Sequence, residues 1–191
     1  YPDIFSSDKA IIKLPQTTEN PFGYINASKI TFENCGVTFY ASQGPLMETV
    51  EHHWQMIWQE KISLIIMLTH YEEDGKQKCY DYLPSGKSGL KFGDLTISTL
   101  EAKLEKMFMY KTIQIKKDKK IRKVKFLQFL AWPDKDVPEF KSFRKLLSKM
   151  REQQNPTFTD NILVHCSAGV GRTGVLILIW YNYWILMPLG I

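Results

Sequence analysis

Cysteine is scarce in this chain. Its 191 residues hold three, Cys35, Cys79 and Cys166. That is too few for a disulfide framework, and the CxxC pairing of a zinc site is missing. An apolar leader is lacking too: Tyr1 to Asp8 is acidic and polar, so no signal peptide is read there. A reducing, cytoplasmic setting fits both absences. Internal repeats and low-complexity tracts are absent. A hydrophobic fraction of 44% against 24% charged excludes disorder. The length suits one domain over residues 1–191 with a sizeable core. Acidic residues stop at Asp160, and the last 17 residues, Val175 to Ile191, carry no charge. A membrane span is one reading of that run. It is short for a span, however, and interrupted by Asn182, Pro188 and Gly190, so a buried core helix is expected instead.

Positive charge is present but concentrated. The net charge is +5, from 25 Lys and Arg against 20 Asp and Glu. Lys111 to Lys125 alone holds eight basic residues and one acid, Asp118. That window carries +7, leaving −2 for the remainder. Nucleic-acid binding needs aromatic or motif support that is missing here, so no such partner is expected. The window reads as a solvated hairpin, with membrane contact as the minor alternative.

Hydrophobic patterning places the elements. Tyr24 to Ile30 and Val37 to Ser42 read as strands around a turn at Asn34–Gly36. A helix is expected from Pro45 to Lys61, with Val50, Trp54, Ile57 and Trp58 at helical spacing. Ser63 to Thr69 is a continuous apolar run suited to a central strand. Lys78–Tyr82, Leu95–Leu100, Met107–Lys116 and Val124–Leu130 read as further strands. Pro138 opens a helix to Arg151, with Phe140, Phe143, Leu146, Leu147 and Met150 on one face. Asn161 to His165 is a short buried strand, Cys166 to Gly171 a loop, and Arg172 starts a helix. The pattern is α/β, with its site at the C-terminal edge of the last strand.

That strand–loop–helix junction carries the chemistry. A loop leading into a helix N-terminus turns backbone N–H groups inward as an anion nest. Gly169 and Gly171 allow the backbone to fold that tightly. A thiol at the mouth, Cys166, feels the positive helix end, which favours the nucleophilic thiolate. Arg172, six residues on, offers a planar fork to two phosphate oxygens. Thr173 can bring a hydroxyl to the sulfur when the thiolate leaves. The same segment formally fits GxGxxG. A dinucleotide site, however, needs an acid about 20 residues later, and none follows Asp160. A Cys–His protease pair is also excluded, because neighbours on a strand point to opposite faces. His165 therefore orients the loop from behind. An aryl-oxide leaving group needs a proton, since a phenol pKa is ~10. Trp132-Pro133-Asp134, 32 residues before the cysteine, offers Asp134 as general acid on a loop able to close over substrate.

Together these residues resemble the tyrosine-specific branch of the protein tyrosine phosphatase family. His165 to Gly174 reads HCSAGVGRTG, an HCX5R motif, and Trp132 to Asp134 reads WPD. Tyr24 to Ser28 is similar to its YINAS segment. Gln43 to Leu46, with Trp54 and Trp58 beyond, is similar to its QGPL region. Lys78-Cys79 is similar to its KC pair. The resemblance implies a twisted mixed β-sheet flanked by helices, with the phosphate loop between a central strand and a helix. It implies hydrolysis of phosphotyrosine in proteins through a cysteinyl-phosphate. Cys166 would be the nucleophile, Asp134 the acid and then the base, with Arg172, Thr173 and His165 assisting. Ser167, Ala168, Gly169, Val170 and Gly171 would hold the phosphate. By position, Tyr1 would stack on the substrate ring and Asp3 would bind its peptide backbone. No metal or cofactor is implied, and a monomer is expected. The chain departs from the pattern at Lys135-Asp136, where the family has a glycine, and at Tyr82-Leu83-Pro84, where it has Tyr-Trp-Pro. It stops 25 residues after Cys166, and no residue matches the family's water-positioning glutamine. The resemblance thus implies a partial domain. The alternative expectation is a catalytically weak phosphotyrosine-binding module.

Overall fold

The computed structural model describes residues 3–33, 35–133, 136–155, 157 and 159–186, with side chains described to residue 183. In chain order the elements are β1 (Ile11–Lys13), β2 (Tyr24–Thr31), β3 (Thr38–Ser42), α1 (Val50–Gln59) and β4 (Leu64–Met67). There follow β5 (Glu72–Glu73), β6 (Lys76–Gln77), β7 (Leu90–Phe92), β8 (Leu95–Glu105), β9 (Phe108–Lys117) and β10 (Lys120–Phe129). The last three are α2 (Phe140–Gln153), β11 (Asn161–His165) and α3 (Gly171–Leu186).

Nine strands form one sheet in the order β1-β2-β3-β11-β4-β10-β9-β8-β7. Its middle, β3-β11-β4-β10, is parallel, and the flanks are antiparallel. Parallel strands covered on both faces need apolar residues on both, which is why β4 reads Leu-Ile-Ile-Met and is buried throughout. One face packs against α1 through Val50, Trp54, Met56 and Ile57. The other packs against Phe143, Leu146, Leu147 and Met150 of α2 and Leu176, Ile177 and Trp180 of α3. The α2 residues fall at i, i+3, i+4 and i+7, one stripe of a helix. Sheet and helices thereby fix where β11 ends and α3 begins.

Several expectations need correcting. Lys78–Tyr82 is not a strand. It is a loop whose alternation reflects Cys79 and Tyr82 dipping into the core. The helix expected from Pro45 begins at Val50, after a turn. β8 and β10 run longer than their apolar cores suggested, closing as hairpins with β9, which keeps its expected length shifted by one residue. α3 is buried along one face only, and Leu178 on its other face is 58% exposed. Among the described residues no helix is long and apolar enough to cross a membrane.

Candidate active site

The parallel strands β4 and β11 end side by side, with Met67 paired to His165. Cys166 follows directly, at the carboxyl edge where open α/β sheets place their sites. Its neighbourhood is built by close backbone approach. Gly169 has φ +80, and a Cβ there would lie 2.3 Å from the Ser42 carbonyl carbon. Only glycine fits that conformation against that wall. The loop thus rests on the Ser42–Gly44 segment leaving β3. The Gly44 N–H donates to the Ser167 carbonyl at 2.9 Å. Folded this way, the loop turns the Gly169 N–H onto the Cys166 sulfur at 3.3 Å. The Ser167 hydroxyl donates to the Lys78 carbonyl at 2.9 Å.

His165 supports the loop from below. Its Nδ1 lies 3.2 Å from the Cys166 carbonyl, so Nδ1 carries the proton. Its Nε2 then accepts from the Tyr82 hydroxyl at 2.7 Å. Burial pushes the imidazole pKa down to about 4, against a smaller opposing pull from the Cys166 carbonyl. The ring is therefore neutral at pH 7. His53, also buried, packs edge-on against His165 at 5.7 Å and Tyr82 at 5.0 Å.

Arg172 sits in the first turn of α3 and is held by a forked ion pair. Its two terminal nitrogens donate to the Glu73 carboxylate at 2.7 and 2.9 Å. They also donate to the carbonyls of Leu68 at 2.9 Å and Pro133 at 3.2 Å. Glu73 reaches the site from the β5–β6 ribbon, whose Asp74-Gly75 turn has positive φ at both residues. Burial alone would raise the Glu73 pKa. Hydrogen bonds from Arg172, the His70 N–H and the Thr69 hydroxyl outweigh it and hold the carboxyl below its ordinary value.

Cys166, His165, Ser167, Ala168, Gly169, Val170, Gly171, Arg172 and Thr173 therefore gather at one strand–loop–helix junction. Thr173 is buried, but its hydroxyl has no hydrogen-bond partner among the described residues, so the expected contact to the sulfur is not formed. Asp134 and Tyr1 lie outside the described residues. The described residues on either side of Asp134 are held. Pro133 is bound by Arg172, and the Trp132 indole donates to the Asp136 carbonyl at 3.1 Å. Asp3 lies in an exposed turn. Just beyond it, Asn26 bonds the Ile4 carbonyl at 2.7 Å and the Gln43 side chain at 3.1 Å. Among the described residues no cluster of three or more His, Cys, Asp or Glu side chains could hold a metal ion.

Sequence reasoning missed Glu73, Tyr82 as a ligand of His165, and His53. Glu73 stands 99 residues before Arg172, and no local pattern links them. The one available signal was the Asp74-Gly75 hairpin turn.

The family model for protein-tyrosine phosphatase matches residues 1–186. The chain is 38% identical over 185 residues to the receptor-type tyrosine-protein phosphatase C of Homo sapiens, covering 93% of this chain and 14% of that protein. It is 34% identical over 182 residues to a Lar-like tyrosine-protein phosphatase of Caenorhabditis elegans, covering 94% and 8%. It is 39% identical over 158 residues to the non-receptor type 7 phosphatase of Mus musculus, covering 81% and 43%. The chain thus spans less than half the length of each of these relatives. A solved structure concerning PTPN18 and distinct HER2 tyrosine phosphorylation sites superposes with a TM-score of 0.87 at 28% identity, covering all of this chain and 68% of that one. The chain belongs to the protein-tyrosine phosphatase family.

Proposed function

We propose that this chain hydrolyses phosphotyrosine in proteins by two displacements at phosphorus. The observation that carries the reading is the packed cysteine loop, with the Gly169 N–H on the Cys166 sulfur and Arg172 at the rim. The backbone donor faces the sulfur, and a loop that turns its N–H groups inward at a helix N-terminus is suited to holding an anion such as a phosphoryl group. In the first step the Cys166 thiolate forms an S–P bond as the P–O bond to the tyrosine breaks. Asp134 gives its proton to the departing phenolate. In the second step Asp134, now a carboxylate, takes a proton from water. That water forms the new P–O bond while the S–P bond breaks and the thiolate returns. Arg172 and the N–H groups from Ser167 to Arg172 stabilise the equatorial oxygens throughout. His165 acts through the loop rather than on the substrate. Thr173 would assist the leaving thiolate after a rotamer change, and Asp3 and Tyr1 would hold the tyrosyl peptide.

Arg172 must exchange a partner to do this, because its terminal N–H groups already serve Glu73, Leu68 and Pro133. The 3.2 Å bond to the Pro133 carbonyl is the longest of the four and the one a phosphoryl oxygen would replace. Glu73 would keep the guanidinium in plane during the exchange. The relation of PTPN18 to tyrosine phosphorylation sites supports phosphotyrosine as the substrate class. We place the working protein in the cytoplasm as a monomer, where a reduced thiol survives.

Rapid-mixing kinetics with a chromogenic aryl phosphate test the proposal, with Cys166→Ser as control. Sustained turnover that vanishes in Cys166→Ser is expected. A single stoichiometric burst would instead identify a phosphotyrosine-binding module that stops at the phosphoenzyme. Turnover retained by Cys166→Ser would overturn the mechanism.

A further inference from the structure

The sheet carries a cationic patch of exposed strand positions at the end remote from Cys166. Cross-strand neighbours share a face. Register aligns Lys91, Thr96, Lys116 and Ile121 in one row across β7, β8, β9 and β10. The next row is Ser98, Gln114 and Lys123, of which Ser98 is buried beneath the segment around Gly89. Neither row contains an acid. Lys91, Lys116, Ile121 and Lys123 are all exposed. Lys116 and Lys123 are diagonal neighbours, about 7 Å apart at the backbone, so their charges repel. Lys119 extends the patch at the β9–β10 turn, where Asp118 is the acid present, whereas Lys120 pairs with Lys117 and so lies on the other face. Three other basic residues of the hairpin are occupied. Lys117 pairs with Asp94 at 2.7 Å on the opposite face. Arg122 lies over the Trp58 ring at 4.0 Å, and Lys125 donates to the Gln153 carbonyl at 2.6 Å. Lys91, Lys116, Lys119, Lys120 and Lys123 have no ion-pair partner among the described residues.

We infer that this face docks on an anionic lipid surface. Its lysines are spread over exposed positions on three strands and the β9–β10 turn, which suits an extended surface better than a cleft. The apolar side chain in their midst, Ile121, is 57% exposed and can enter a headgroup layer. Position supports the same partner. β10 starts at this tip and runs ten residues toward the edge that holds Cys166, about 33 Å. A bound surface would leave the cysteine loop open to substrate.

The test is co-sedimentation of the chain with vesicles of phosphatidylcholine alone or mixed with phosphatidylserine. Binding to the mixed vesicles only is expected, weakening as salt shortens the screening length. Each lysine near the surface should contribute about fivefold, so Lys91→Gln, Lys116→Gln and Lys123→Gln together should weaken binding about a hundredfold. The corresponding three Lys→Arg changes should retain it. Hydrolysis of a soluble aryl phosphate and the urea midpoint should not change in either triple variant. Equal binding to both vesicle types would overturn the inference, as would undiminished binding by the Gln variant. So would retention on an immobilised polyglutamate peptide without vesicle binding, which would assign the face to an acidic protein. Vesicle binding and the urea midpoint do not depend on catalysis by Cys166.

Discussion

Acid should destabilise the chain through the two histidines behind the cysteine loop. His165 titrates at about 4 in the fold because burial penalises imidazolium, against about 6.5 when unfolded. The folded state therefore binds fewer protons than the unfolded state between these values. Stability is fully present above pH 6.5 and is lost as pH falls toward 4. Between about pH 7.5 and 5, His165 alone should remove about 2 kcal/mol. His53 is shifted in the same direction, first by burial and then by His165, so it adds to the loss. Against a total of about 5–15 kcal/mol for a domain, this is large. Urea unfolding followed by tryptophan fluorescence across this pH range measures it. His53→Phe keeps the aromatic packing on Tyr82 and removes one titrating ring. It should reduce the pH dependence. It should also raise stability at neutral pH by about 1 kcal/mol, because Nε2 of His53 has no partner among the described residues. A midpoint that does not move with pH, or a His53→Phe variant as acid-sensitive as the parent, would refute the reasoning.

Three further outcomes follow from the same contacts. Glu73→Ala leaves a largely buried guanidinium without its carboxylate, and should cost about 3 kcal/mol in urea unfolding and raise KM for aryl phosphates. Glu73→Gln should recover part of both losses, since it keeps one acceptor. Tyr82→Phe strands Nε2 of His165 and should cost about 1–3 kcal/mol, with a fall in kcat greater than any change in KM. Gly169→Ala forces a Cβ against the Ser42 carbonyl at positive φ, and should abolish turnover while far-ultraviolet circular dichroism stays native.

What the sequence disclosed depended on whether the determining contacts were local. β11 matches its expected span because a run of apolar residues is bounded by Asp160 and a glycine-rich loop. α2 was legible from its stripe of Phe143, Leu146, Leu147 and Met150, although Phe140, expected on that face, is 78% exposed and the helix begins there rather than at Pro138. Lys78–Tyr82 misled because alternating burial arises equally in a loop that folds against a core. The edge strand β7 and the ribbon β5–β6 are too short to show a period. At the site, the cysteine loop was legible because its glycines and arginine are consecutive. Glu73, Tyr82 and His53 come from other segments and meet the loop only through tertiary packing. The Arg172–Glu73 fork leaves no trace in local composition.

Trapping the covalent intermediate tests the central claim most directly. The chain would be mixed with an aryl phosphate, quenched in acid during turnover, digested and weighed by mass spectrometry. The account predicts that the peptide containing Cys166 gains the mass of one phosphoryl group, and that Asp134→Ala slows its appearance. Product release with Cys166 unmodified at every quench time, in a chain that still turns over, would contradict it.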